Sequence, residues 1–139
     1  MEESVSKFRT LSLAVTAAML GACSTVPPSP ESALRSRASA YYDSLIKQEY
    51  RAVYGFFTPG YRAARSFEEH FMIAPPQGRY LEASVEDVRC VTDHACDVVI
   101  NSRFEFAKSV QPVGGMIVPM DVTDRWVFVD GNWYLAPKR

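Results

Sequence analysis

Little net charge, few histidines and few cysteines mark this sequence, and each shortage closes off a class of function. Fifteen Lys and Arg stand against sixteen Asp and Glu in 139 residues, a formal charge of −1. Without a basic surplus nothing matches a phosphate backbone, and nucleic acid is not an expected partner. The two histidines, His70 and His94, do not form a His-Glu-x-x-His pattern. Gly-x-Ser-x-Gly, the Walker phosphate loop and the dinucleotide glycine fingerprint are absent too, which removes the matching hydrolase, nucleotidase and dehydrogenase chemistries. No cofactor and no metal site is expected. The chain also lacks an apolar run of about 18 residues, the length at which a segment reads as a spanning helix.

What is present begins near the N-terminus. Lys7 and Arg9 precede an apolar stretch over residues 11–20, which ends in Leu20-Gly21-Ala22-Cys23 and has the length of a signal-peptide hydrophobic region. Small residues before a cysteine admit a peptidase and leave the thiol free for acylation. These four residues resemble the lipobox of bacterial lipoproteins, which implies a signal peptide over residues 1–22, lipidation of Cys23 and attachment to a membrane through that lipid. Ser24 after the cysteine resembles the sorting pattern for outer-membrane delivery in enterobacteria. The expected location is therefore the bacterial cell envelope, lipid-anchored to the outer membrane and facing the periplasm. Residues 23–30, with Pro27, Pro28 and Pro30 among small polar residues, read as an extended Pro/Ser tether. Residues 31–139 read as one domain.

Helical signals fill the first half of that domain. Ser29-Pro30-Glu31 offers a capping hydroxyl, a proline for the first turn and an acid at the positive dipole end. Leu34, Ala38, Tyr41 and Leu45 share one helical face, which predicts a long amphipathic helix over residues 30–48. Residues 50–57 predict a shorter helix halted by Thr58-Pro59-Gly60. Ser66-Phe67-Glu68-Glu69 is a capping box that opens a third helix, with Phe67 and Phe71 on its buried side.

Strands follow. Val98, Ile100, Phe104 and Phe106 alternate with Asp97, Asn101, Arg103 and Glu105, the pattern of a half-buried strand. Before it, Leu81, Ala83 and Val85 alternate in one phase and Val88 and Cys90 in the other, so a bulge near Glu86-Asp87 is needed to reconcile them. With Cys90 opposite Cys96 the pairs become Val88/Val98, Val85/Ile100, Ala83/Ser102 and Leu81/Phe104, all with apolar groups on one face. A Cys90–Cys96 disulfide pinning this hairpin is preferred to two free thiols; a metal set with His94 lacks a fourth ligand. Asp130-Gly131 is a tight hairpin turn that sets Phe128 opposite Trp133 and Trp126 opposite Leu135.

Helices first and a meander of about four strands afterwards make an α+β layer arrangement. The helix through Tyr41-Tyr42-Asp43, the segment ending in Phe57-Thr58-Pro59, the Phe67–Phe71 helix and the closing residues 124–135 together resemble the NTF2-like (cystatin-like cone) superfamily, especially its small lipoprotein members. That resemblance implies a long N-terminal helix and two short helices packed on a curved antiparallel sheet, with a conical pocket between them. In enzymes of that superfamily, such as ketosteroid isomerases, acids, histidines or tyrosines inside the cone transfer protons. The one candidate acid here is Asp124, on the core-side parity of Trp126 and Phe128, with Tyr41 as a companion phenol. The alternative is a structural aspartate paired with Arg35 or Arg37. His70 and His94 fall outside the pocket on this reading.

Two Trp, seven Tyr and eight Phe either close a small core or line a pocket for an apolar ligand. Tyr41, Tyr54, Trp126, Phe128 and Trp133 are the pocket candidates. Val99, Val127, Val129 and Tyr134 form an apolar strip on the other sheet face, suited to a homodimer or an envelope partner. The expected function is a membrane-anchored, non-catalytic binding or interaction module. The alternatives are a binder of a small apolar ligand and a SnoaL-like or ketosteroid-isomerase-like enzyme using Asp124.

Overall fold

The computed structural model describes residues 29–138. The signal peptide read over residues 1–22, the lipidation of Cys23 and the tether up to residue 28 lie outside the described residues. Among the described residues no helix is long and apolar enough to cross a membrane.

Helix α1 runs over Pro30–Ile46. Its N-cap is Ser29, whose Oγ accepts from the Ser32 amide at 3.1 Å, and Pro30 fills a first-turn position whose amide would have no helical partner. The helix ends at Ile46 rather than residue 48, because Gln48 takes a left-handed φ of 58° and turns the chain. Its most buried positions are Leu34, Ala38, Tyr42 and Ser44, so the core stripe is rotated toward Tyr42, while Tyr41 and Leu45 are only partly buried against it.

Three short helices follow instead of two: α2 (Tyr50–Gly55), α3 (Pro59–Ala64) and α4 (Phe67–Ile73). The Thr58-Pro59-Gly60 segment does end the second helix, but it also begins another. Thr58 Oγ1 accepts from the Tyr61 amide at 3.3 Å and Pro59 sits in the first turn, so the same residues serve as a start signal. Ser66 and Glu69 form the reciprocal capping box of α4.

The sheet is an antiparallel meander of β1 (Gly78–Thr92), β2 (Ala95–Phe106), β3 (Ile117–Val129) and β4 (Asn132–Leu135), in that spatial order. Val88↔Val98, Val85↔Ile100 and Ala83↔Ser102 are partners, with register shifts at Leu81, Glu86 and Val91. The shift at Leu81 corrects one expected pair: Tyr80, not Leu81, stands opposite Phe104. Cys90 and Cys96 are partners joined by a disulfide. Gly78 permits the close approach of β1 to β2, since a Cβ there would collide with the Glu105 carbonyl and the Phe104 ring. Asp130 (φ 47°) and Gly131 (φ 82°) make the tight turn between β3 and β4, which pairs Phe128 with Trp133 and Trp126 with Leu135.

The core lies between α1 and the inner sheet face, centred on Leu34, Val98, Ile100 and Trp126, all nearly inaccessible to solvent. Arg35 donates to the Val85 carbonyl and Arg37 to the Trp133 carbonyl, fastening α1 to both edges of the sheet. A short parallel bridge between Phe57 and Leu135 ties the α2–α3 junction to β4. On the outer face, Arg125 binds both oxygens of Asp97, and Arg103–Glu82 and Arg79–Glu105 pairs cross neighbouring strands. Val99 and Val127 are half-buried in that charged surface.

Candidate functional site

Between α1, the α3–α4 pair and the inner ends of β1, β3 and β4 lies a cavity of about 450 Å³. Its composition follows from local geometry. Consecutive positions on α1 send Tyr41 and Tyr42 to it, and the Leu81 shift turns Tyr80 of β1 onto the same side. Period two along β3 puts Val122 and Asp124 on the inner face. The α3–α4 pair contributes Tyr61, Arg65 and His70, and the residues after β4 contribute Pro137 and Lys138.

Asp124 is the buried charge of this site, with 7% of its surface exposed. Its Oδ2 accepts from the Tyr42 hydroxyl at 2.6 Å, and Lys138 Nζ stands 3.7 Å from Oδ1. Neither Arg35 nor Arg37 pairs with it, because both are spent on backbone carbonyls. The rings of Tyr41 and Tyr80 meet Tyr42 edge to face, with centroids 5.1 and 5.3 Å away. Burial first, and the Asp124 charge second, push the Tyr41 and Tyr42 hydroxyls far above the usual tyrosine range. The same two causes raise Tyr80. All three phenols therefore stay protonated, and Tyr42 is a permanent donor to Asp124.

The opposite wall is built around His70. Its Nδ1 is 2.7 Å from the Tyr61 hydroxyl, and its ring packs against Phe57 and Phe71, both with centroids at 4.9 Å. Burial, then the nearby Arg65 charge, lowers its pKa below the ordinary histidine range, which favours the neutral ring. Arg65 lies over the Tyr61 ring and donates to its hydroxyl at 3.5 Å. A second hollow of about 440 Å³ continues from the first past Tyr61, Arg65, Pro137 and Lys138. The cations thus lie toward the mouth and the carboxylate toward the floor.

The structure sorts the residues singled out from sequence. Tyr41 and Asp124 come together in the cavity. Trp126 is fully buried in the core. Tyr54 packs on Phe57 and Phe67 and donates to the Arg62 and Arg65 carbonyls, so it braces α2 against α3. Phe128 and Trp133 border a separate groove of about 330 Å³ beside Arg37 and the start of α1. His94 occupies the β1–β2 turn, away from the cavity. Sequence reasoning missed Tyr42, Tyr61, Arg65, His70, Tyr80 and Lys138. Tyr42 was within reach, since it continues the Leu34–Ala38 spacing of four. Tyr61, Arg65 and His70 are brought in by the packing of the short helices, Tyr80 by a bulge and Lys138 by the segment after β4, none of which leaves a periodic trace.

No protein-family model matches the chain, and no curated protein matches it. Among solved structures it is similar to a SEC-C motif containing protein from Rhodopseudomonas palustris, with 19% identity, 78% of this chain and 75% of that chain covered, and a TM-score of 0.49. It is also similar to a SEC-C motif containing protein from Psychrobacter arcticus, with 11% identity, coverage of 73% and 56%, and a TM-score of 0.50. The chain thus spans little more than half of the second protein, and the likeness is one of fold. These findings correct the family resemblance read from the sequence. The fold likeness at a TM-score of 0.50 is to a SEC-C motif containing protein rather than an NTF2-like one, and neither neighbour is described as a lipoprotein. The NTF2-like assignment fails because a helix-then-meander pattern belongs to a layer architecture, which different families share. The lipoprotein and signal-peptide assignments rest on residues 1–23, outside the described residues, and gain no support from these neighbours.

Proposed function

We propose that this domain is a non-catalytic binding module that holds a small, largely apolar ligand in the cavity floored by Asp124 and Tyr42. The cavity itself carries the proposal. At about 450 Å³ it falls in the size range of small-molecule sites, with apolar walls and a few convergent polar groups. Phe57, Val122 and Leu135 supply apolar surface, while Asp124 and the Tyr61–His70 pair supply orientation. An interaction role through the outer sheet face is less well supported, since cross-strand ion pairs solvate that face and leave its valines half-buried. The Cys90–Cys96 disulfide supports residence in an oxidising compartment.

The test is titration of the full chain with the uncharged apolar fluorophore N-phenyl-1-naphthylamine, beside a Val122→Trp variant that fills the cavity. Saturable single-site binding that disappears in the variant, with its circular dichroism spectrum unchanged, is the expected result. Binding that survives the plug, or that is lost only on charge changes at Arg103 or Arg125 of the outer face, would refute the cavity as the binding site.

A further inference from the structure

We propose that the ligand of this cavity carries a primary ammonium group on its apolar body, and that the free Oδ1 of Asp124 receives it. The proposal rests on the reading that the cavity holds a small ligand, and adds its chemical class.

Three observations converge on it. First, Asp124 is more than nine-tenths buried, yet only one of its oxygens is satisfied. Oδ2 has the Tyr42 hydroxyl at 2.6 Å, while Oδ1 has no hydrogen-bond donor among the described residues. A carboxylate oxygen left without a donor in a residue that lines the cavity can take one from a ligand. Second, the nearest cation is a loose substitute. Lys138 Nζ is 3.7 Å from Oδ1, beyond hydrogen-bond length, on a side chain that is 71% exposed. It approaches along the cavity, which is the route an incoming ammonium would take. Third, the rings of Tyr41, Tyr42 and Tyr80 gather beside the same carboxylate, and aromatic faces attract cations.

Other charged groups fit less well. A ligand carboxylate at the floor would be repelled by Asp124. A guanidinium is planar and binds best to two oxygens at once, and one of the two is already held by Tyr42. A compact ammonium needs only the single free oxygen and presents its remaining N–H bonds to the rings. Lys138 therefore acts in the unliganded protein as a tethered counter-ion that the ligand displaces.

The full chain is titrated with tryptamine, its neutral analogue tryptophol and its acidic analogue indoleacetate, followed by NMR chemical shifts. Tryptamine is expected to bind tightest. Asp124→Asn should weaken it by about tenfold or more and leave tryptophol unchanged. Lys138→Met, at an exposed position that leaves folding intact, should tighten tryptamine by about threefold by removing its competitor. Indoleacetate as the tightest ligand, or tryptamine weakened by Lys138→Met, would overturn the proposal. If tryptophol binds in the cavity as well as tryptamine does, the ammonium is wrong and the cavity reading stands. If none of the three binds, both fall.

Discussion

Tyr42→Phe removes one atom from the core and tests the link between fold and site. The phenol oxygen lies 2.6 Å from Asp124 Oδ2, and the ring keeps its packing against Tyr41 and Tyr80 when the oxygen is deleted. What is lost is one hydrogen bond to a buried charge, a class of interaction worth about 1.5–3 kcal/mol. Two effects soften the loss. Lys138 is near enough to attract the carboxylate, but its side chain is 71% exposed and its contact is loose at 3.7 Å, so it contributes at most about 1 kcal/mol. The cavity can also admit a water to replace the donor. A destabilisation of about 2 kcal/mol follows, which for a domain of this size lowers the melting temperature by about 10 °C. Urea unfolding of Tyr42→Phe, Asp124→Asn and the double variant separates charge from packing. In the Asp124→Asn background the phenol faces a neutral acceptor, so its removal should cost about 1 kcal/mol or less. The same loss in both backgrounds, or a single-variant loss below about 0.5 kcal/mol, would refute the reading of Tyr42 as the donor that stabilises the Asp124 charge.

Three further perturbations probe the frame around the site. Replacing Cys90 and Cys96 together by Ala opens a short loop and should cost about 2 kcal/mol in urea unfolding; no loss would mean that strand register alone holds the hairpin. Ser66→Ala breaks the capping box of α4 and should cost about 1 kcal/mol; a neutral result would show that tertiary packing alone holds α4 in place. For His70 the sign follows from its lowered pKa: the unfolded chain binds more protons, so its contribution is complete above about pH 6.5 and declines as pH falls toward the folded value. Melting temperatures from pH 8 down to 5 should therefore fall more steeply for the native chain than for His70→Asn. A native curve that rises over that interval relative to the variant would contradict the assignment.

Much of the sheet was legible because its signals are local and redundant. Along β2 the two-residue alternation is nearly unbroken, and the Asp130-Gly131 turn fixes the last register by its backbone requirement alone. The Val88/Val98, Val85/Ile100 and Ala83/Ser102 pairs follow from requiring one apolar face. Helical signals were legible where a cap was unambiguous, as at Ser29 and Ser66. They misled at Thr58-Pro59, where the residues that stop one helix also start the next. A superfamily was not legible from such signals. Layer order and a closing hairpin describe how a chain buries its apolar surface, and many sequences bury it in that way.

The cavity was harder to read for a reason that lies in the bulges. Shifting a strand by one residue moves every side chain to the other face, so the fate of Tyr80 depends on whether Leu81 or Glu86 absorbs the extra residue. A single bulge at Glu86 suffices to reconcile the apolar phases of β1, and that solution places Leu81 inward and Tyr80 outward. The structure adds a second bulge at Leu81, which brings Tyr80 beside Tyr42 and Asp124 instead. Packing apolar residues alone gives no reason for that choice, since leucine would fill the place at least as well. Aromatic packing does give one, because the Tyr80 ring meets Tyr42 and Phe104 edge to face with centroids at 5.3 and 5.1 Å. The departure from the simplest register therefore extends the aromatic wall of the cavity, which Tyr80 lines beside Tyr41 and Tyr42. A chain needing only a closed core could have left an apolar residue in its place.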